Sequence, residues 1–83
     1  MHIKILGKGC KNCALLEQHA RKAAADLSWS ATFEKVTDMD TIVDYGIMKT
    51  PGLVIDETVV VSGRVPSVSQ LKVLMSDWAD KQA

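Results

Sequence analysis

Two cysteines separated by two residues, Cys10-Lys11-Asn12-Cys13, constrain this chain more than any other feature, and they are its only cysteines. Across a helix start, that spacing lets the sulfurs reach bonding distance. Upstream, His2-Ile3-Lys4-Ile5-Leu6 is a short β-favouring run with Ile3 and Ile5 on one face, broken by Gly7 and Gly9. Downstream, Cys13, Leu16, Ala20, Ala23 or Ala24, and Leu27 recur at helical spacing through an Ala-rich stretch of good helix formers. The pair therefore falls at a strand-to-helix junction. There Cys10 meets unpaired backbone N–H groups and the positive end of the helix dipole, both of which stabilise a thiolate. Cys13 falls one turn inside, on the stripe that faces the core. Two unequal thiols are expected: Cys10 accessible and acidic, Cys13 shielded and closer to an ordinary thiol.

A length of 83 residues predicts a single domain spanning 1–83, with a small aliphatic core. Ten residues of each charge sign cancel, leaving no electrostatic footprint for nucleic acid or a membrane surface. No apolar run approaches the roughly twenty residues a membrane span needs. The loop between the cysteines is too short to staple a fold in the manner of secreted mini-proteins. A cytoplasmic location is expected, and there a close pair of cysteines is catalytic or metal-binding rather than structural.

Beyond a polar break at Asp26–Ser30, Ala31–Val36 reads as a second strand. Asp38 is a suitable N-cap for a short helix, Met39–Tyr45, with Met39, Ile42 and Tyr45 on one side and Gly46 at its exit. Thr50-Pro51-Gly52 forces a turn, after which Leu53–Ile55 and Thr58–Val61 flank Asp56-Glu57 as a β-hairpin closed by Gly63. Pro66-Ser67 opens a last helix whose stripe is Val68, Leu71, Leu74 or Met75, and Trp78, followed by a frayed tail from Asp80 to Ala83. The expected order is βαβαββα, an α/β fold with one central four-stranded mixed sheet and its three helices distributed over both faces.

A Cys-x-x-Cys after the first strand, a Thr-Pro about forty residues on and just before a hairpin, a Gly ending that hairpin and a terminal helix together resemble the thioredoxin fold in its minimal, glutaredoxin-sized form. The likeness to the small redox-active disulfide proteins of archaea and bacteria runs over essentially the whole chain. It implies that Pro51 is cis and lies beside the disulfide, with Thr50 and Pro51 as a substrate-docking edge that pairs with an extended strand. Lys11 and Asn12 stand between the cysteines, where thioredoxins carry Gly-Pro and glutaredoxins commonly Pro-Tyr; Gly9 stands where thioredoxins carry Trp. The position matching the family's buried acid is Lys4, so another proton acceptor, or water, is expected to serve Cys13. Of the glutathione-binding features of glutaredoxins, Thr50-Pro51 and Gly63 are present and the double glycine and acid are not.

The chemistry that follows is thiol–disulfide exchange: Cys10 thiolate attacks a partner disulfide and Cys13 resolves the mixed disulfide. Expected partners are a disulfide-containing protein or a small thiol/disulfide, and a reductase that restores the dithiol. No cofactor or resident metal is called for, and a monomer is the expected state. Lys8, Lys11 and Lys49 would add positive potential near Cys10, with a solvated lysine face as the plainer reading. Tyr45 and Met48 read as packing residues that border the groove, Trp29 and Trp78 as packing residues, and His2 and His19 as surface histidines. The competing reading is a soft-metal carrier of the Cu(I) type on the same two thiolates, since a Cys-x-x-Cys on the loop between a first strand and a first helix also resembles heavy-metal-associated domains. Those domains end on a strand and have no need of Thr50-Pro51. A non-enzymatic adaptor of the same fold would not need a resolving thiol.

Overall fold

The computed structural model describes residues 1–7, 11–47 and 49–82. In chain order the elements are β1 (His2–Leu6), α1 (Lys11–Asp26), β2 (Thr32–Val36), α2 (Met39–Asp44), β3 (Gly52–Ile55), β4 (Thr58–Ser62) and α3 (Val68–Gln82). The strands form one mixed sheet in the order β2-β1-β3-β4, with β1 parallel to β2 and antiparallel to β3, and β4 antiparallel to β3. The expected βαβαββα order and four-stranded mixed sheet are the ones the chain adopts.

Alternation along β1 divides the molecule into two half-cores. Ile3 and Ile5, with Leu53 and Ile55 of β3, pack against Leu16, Ala20 and Ala23 of α1 and Leu71 and Met75 of α3. Leu6, Val36 and Val54 face the other way, onto Ile42 of α2 and Ile47. Covered on both sides, β3 is buried at all four positions and reads as a continuous apolar run rather than an alternating one. The outer strand β2 stays largely exposed and carries Glu34 and Lys35, charges that blunt an open edge.

Local chemistry sets the ends of the elements. Asp38 caps α2, accepting from the backbone N–H of Asp40 at 3.3 Å and from the Thr41 hydroxyl at 2.8 Å. Ser67 and Gln70 cap α3 reciprocally, each side chain accepting from the other's backbone N–H at 3.2 and 3.0 Å. That helix does not fray at Asp80 as expected: it continues through Gln82, with Lys81 in the last turn complementing the dipole. The hairpin turn holds Asp56 and Glu57 at φ of 46° and 72°, a left-handed conformation that non-glycine residues seldom take. Side-chain contacts hold it there. Asp56 accepts from the His2 backbone N–H at 2.8 Å, and Glu57 accepts from Lys4 at 2.8 Å. Between Leu53 and Val54 the register shifts, and Val60 is the extra residue of a β-bulge. Trp29 and Trp78 pack as a tilted pair with ring centroids 6.2 Å apart, in line with the packing role expected of both.

Three carboxyls sit below their ordinary range: Glu17 chiefly through the hydrogen bond from Arg21, Asp26 through Lys22, and Glu57 through Lys4. A carboxyl lowered on folding adds stability above its unfolded value and loses it as pH falls through the folded one. Urea midpoints followed by circular dichroism are therefore expected to hold steady above about pH 5 and to decline on acidification below it. Glu17, whose side chain is 14% exposed, contributes more to that decline than Glu57 at 68%, where solvent screens the pair. Glu17→Gln should flatten the acid limb; an unchanged limb would contradict the assignment.

Candidate active site

Gly7, where β1 ends, organises the site. Its backbone N–H donates to Val36 at 3.0 Å, extending the pairing of β1 with β2 by one residue. A Cβ placed on Gly7 would run into the Cys13 sulfur, and would lie 3.2 Å from the Cys13 Cβ and 3.8 Å from the Thr50 Cβ. The absent side chain is thus the space the Cys13 sulfur occupies. Cys13 is the third residue of α1, 6% exposed, and heads the buried stripe continued by Leu16, Ala20, Ala23 and Ala24. The helical spacing places it as expected.

Thr50 lies on the other side of that same point. The Thr50–Pro51 peptide is cis; Thr50 is exposed, whereas Pro51 is fully buried. The Pro51 carbonyl accepts from the backbone N–H of Gly63 at 2.8 Å, so the end of β4 holds the loop. Gly63 has φ of 73° and its open face receives Lys49, whose Cβ would be 3.0 Å from any Cβ placed there. The fold therefore brings Cys13, Thr50 and Pro51 together around Gly7. Lys11 and Asn12 are exposed in the first turn of α1, the turn that carries Cys13. Cys10, Lys8, Gly9 and Met48 lie outside the described residues, as does Ala83.

Beside Cys13 a cavity of about 170 Å³ is lined by Gly7, Cys13, Ala14, Glu17, Lys35 and Thr37, with Ile5 behind them. Glu17 follows Cys13 by one helical turn and so shares its face of α1. Its carboxylate accepts from Arg21 Nε at 2.9 Å and pairs with Lys35 Nζ on β2 at 3.2 Å. Arg21 lowers the Glu17 carboxyl most, burial opposes that effect, and Lys35 adds to it. The sequence carried one local signal of this group, the Glu17/Arg21 pair at i, i+4; Lys35 joins it only through the parallel pairing of β2.

Lys4 is not beneath Cys13. It points to the α2 face of the sheet, opposite α1, where Nζ donates to Tyr45 Oη at 2.6 Å and to Glu57 Oε1 at 2.8 Å. The period of two along β1 is the reason, since Ile3 and Ile5 own the α1 face. Glu57 and Tyr45 raise the Lys4 ammonium well above its ordinary value. Tyr45 is thereby a packing and bridging residue at the end of α2. His2 and His19 are both half-buried: His2 Nε2 lies 2.9 Å from Glu34 Oε1, and His19 bonds the Pro66 carbonyl at 2.8 Å, tying α1 to the entry of α3. Among the described residues, no group of three or more His, Cys, Asp or Glu side chains could hold a metal ion.

One feature escaped the sequence reading. Met39 and Val43 are 47% and 62% exposed, and with Ile42, Gly46, Ile47 and Thr50 they line an apolar groove of about 430 Å³. Periodicity placed Met39, Ile42 and Tyr45 on one side of α2; in a helix of six residues, Ile42 is the one that is buried.

Comparison with known proteins agrees with this geometry. The family model described as "Thioredoxin domain" matches residues 1–76. A protein named thioredoxin from Methanothermobacter thermautotrophicus is 42% identical over 76 residues, covering 92% of this chain and 99% of the relative. A second, from Methanocaldococcus jannaschii, is 36% identical over 70 residues, covering 84% of this chain and 80% of the relative. With a thioredoxin-type sheet, a buried cysteine at the start of α1 and a Thr-Pro loop against it, the chain belongs to the thioredoxin family.

Proposed function

We propose that this protein is a thiol–disulfide oxidoreductase in which Cys10 is the nucleophile and Cys13 the resolving thiol. The observation that carries the reading is the seat of the Cys13 sulfur: buried, lodged over Gly7, and flanked by Thr50 of the cis-proline loop. Such a thiol is poorly placed for bimolecular attack and well placed for attack on a neighbour held at the same helix start. Cys10 immediately precedes the first residue of α1, where backbone N–H groups favour a thiolate. The Cys10 thiolate attacks a partner disulfide and releases one thiolate. Cys13 then attacks the Cys10 sulfur, releases the second, and leaves Cys10–Cys13 oxidised.

Thr50 and Pro51 form the edge on which an extended partner segment docks, with Lys11 and Asn12 at its rim. The apolar groove beside Thr50 receives side chains of that segment. Substrates are proteins or small molecules carrying a disulfide, a separate reductase restores the dithiol, and the unit acts as a single domain over 1–83, monomeric in the cytoplasm.

The test is equilibration against thiol/disulfide buffers of graded potential, with free thiols counted by alkylation and mass spectrometry. One two-electron transition between about −120 and −300 mV is expected. Cys10→Ser should abolish exchange, and Cys13→Ser should accumulate a mixed disulfide on Cys10. Absence of any Cys10–Cys13 disulfide over that range, with tight stoichiometric Cu(I) binding by the dithiol, would overturn the proposal in favour of a metal carrier.

A further inference from the structure

We infer that Glu17, held by Lys35 at the wall of the cavity beside Cys13, relays the Cys13 proton to solvent when that thiol resolves a mixed disulfide. The inference rests on the exchange reaction proposed above. The thiolate is the attacking species, so Cys13 must shed a proton first, and with 6% exposure it sheds little directly into bulk water. The cavity that touches it has room for a few water molecules, and Glu17, Lys35 and Thr37 are among the residues that line it.

Glu17 is suited to the task by placement. It lies one turn beyond Cys13 on the same helix face, and Arg21 and Lys35 fix its two oxygens from α1 and β2. Among the described residues these are the charged groups paired with it; β1 contributes Ile5 and Gly7 to the cavity, and Lys72 of α3 pairs with Asp26 instead. The Lys4–Tyr45–Glu57 cluster cannot substitute, since the sheet separates it from α1.

The step balances. The proton on Cys13 Sγ passes through cavity water to the Glu17 carboxylate and on to bulk. The Cys13 sulfur donates its electron pair to Cys10 Sγ, forming the Cys10–Cys13 bond. The bond from Cys10 to the partner sulfur breaks, and the partner leaves as a thiolate that takes its proton from solvent. Because Arg21 and Lys35 keep the Glu17 carboxyl acidic, the proton moves on rather than staying. Glu17 acts through Cys13 and is a positioning residue for the reaction.

Stopped-flow mixing of the reduced full-length protein with an aromatic nitrobenzoate disulfide separates the steps. A first coloured thiolate is released as Cys10 forms the mixed disulfide, and a second as Cys13 resolves it. In Glu17→Gln the first phase should keep its rate. The second should slow by about tenfold or more at neutral pH, with the deficit closing as hydroxide takes over towards about pH 9. Glu17→Asp should recover part of the loss. A second phase in Glu17→Gln that is unchanged at every pH would overturn the inference. So would a faster one, the sign expected if Glu17 acted only as a negative charge opposing the thiolate. Equal slowing of both phases at all pH values would mark the ion pair as merely structural. A wild-type protein with no first phase fails the exchange reading itself, and this inference with it.

Discussion

Gly7→Ala is expected to cripple the resolving step while leaving a folded protein. The added methyl group would occupy the position of the Cys13 sulfur and press within 3.2 Å of the Cys13 Cβ. Cys13 has a single side-chain torsion, and the helix restricts its rotamers, so the sulfur cannot turn aside without entering the preceding turn or leaving the core stripe. Overpacking of this kind costs about 1–3 kcal/mol. The larger consequence is kinetic: displacing a reacting atom by about 1 Å can cost about 100-fold in rate. Two-phase kinetics should show release of the first thiolate at near wild-type rate and a resolving phase slower by about two orders of magnitude. Val73→Ala, on the exposed face of α3 and outside the site, is the internal control and should leave the resolving phase unchanged. Resolution at the wild-type rate in Gly7→Ala would show that the sulfur has another place to sit.

Leu53→Ala is expected to give the largest loss of stability. Leu53 is fully buried in the central strand β3, between Ile5 on β1 and Val61 on β4, and it belongs to the core shared by α1 and α3. With neighbours on every side, the site has little freedom to collapse around a cavity, and Leu→Ala changes in such places cost about 2–5 kcal/mol. For a chain of 83 residues the whole folding free energy is about 4–12 kcal/mol. The substitution should therefore remove a large fraction of the stability and lower Tm by roughly 10 to 25 °C. Val73→Ala, at a position 61% exposed on α3, should change stability by no more than about 0.5 kcal/mol. Thermal and urea unfolding of the pair distinguishes a core set by β3 from one spread evenly over the helices; equal losses would refute the former.

On the function proposed above, the groove beside Thr50 would bear on specificity. Its exposed walls, Met39 and Val43, come from α2, whose position is set by Ile42 and by the Asp38 cap. Unbranched Met in particular adapts to differently shaped side chains. Beside the docking edge proposed at Thr50-Pro51, such a groove would suit partners recognised by main-chain hydrogen bonds and loosely by side chain.

What the sequence determined by itself is everything that short-range chemistry controls. A period of two in Ile3 and Ile5, a period near 3.6 from Cys13 to Ala24, Asp38 ahead of Met39, and Gly63 after the hairpin each specify local backbone. Together they determined the order of elements, and with the Cys-x-x-Cys and Thr-Pro spacing, the family. The tertiary structure decided what depends on residues far apart in the chain. That Lys4 faces away from Cys13 follows from which side of β1 receives α1. That the Gly7 side of the strand end is filled by the Cys13 sulfur and bordered by Thr50 depends on the loop from α2 folding back onto β1. That Glu17 meets Lys35 depends on the parallel register pairing Ile5 with Lys35 and Leu6 with Val36. The last two have no sequence signature, because each joins two segments whose own preferences are satisfied equally well without it. Only the packing of α1 against the sheet selects the arrangement in which they coincide.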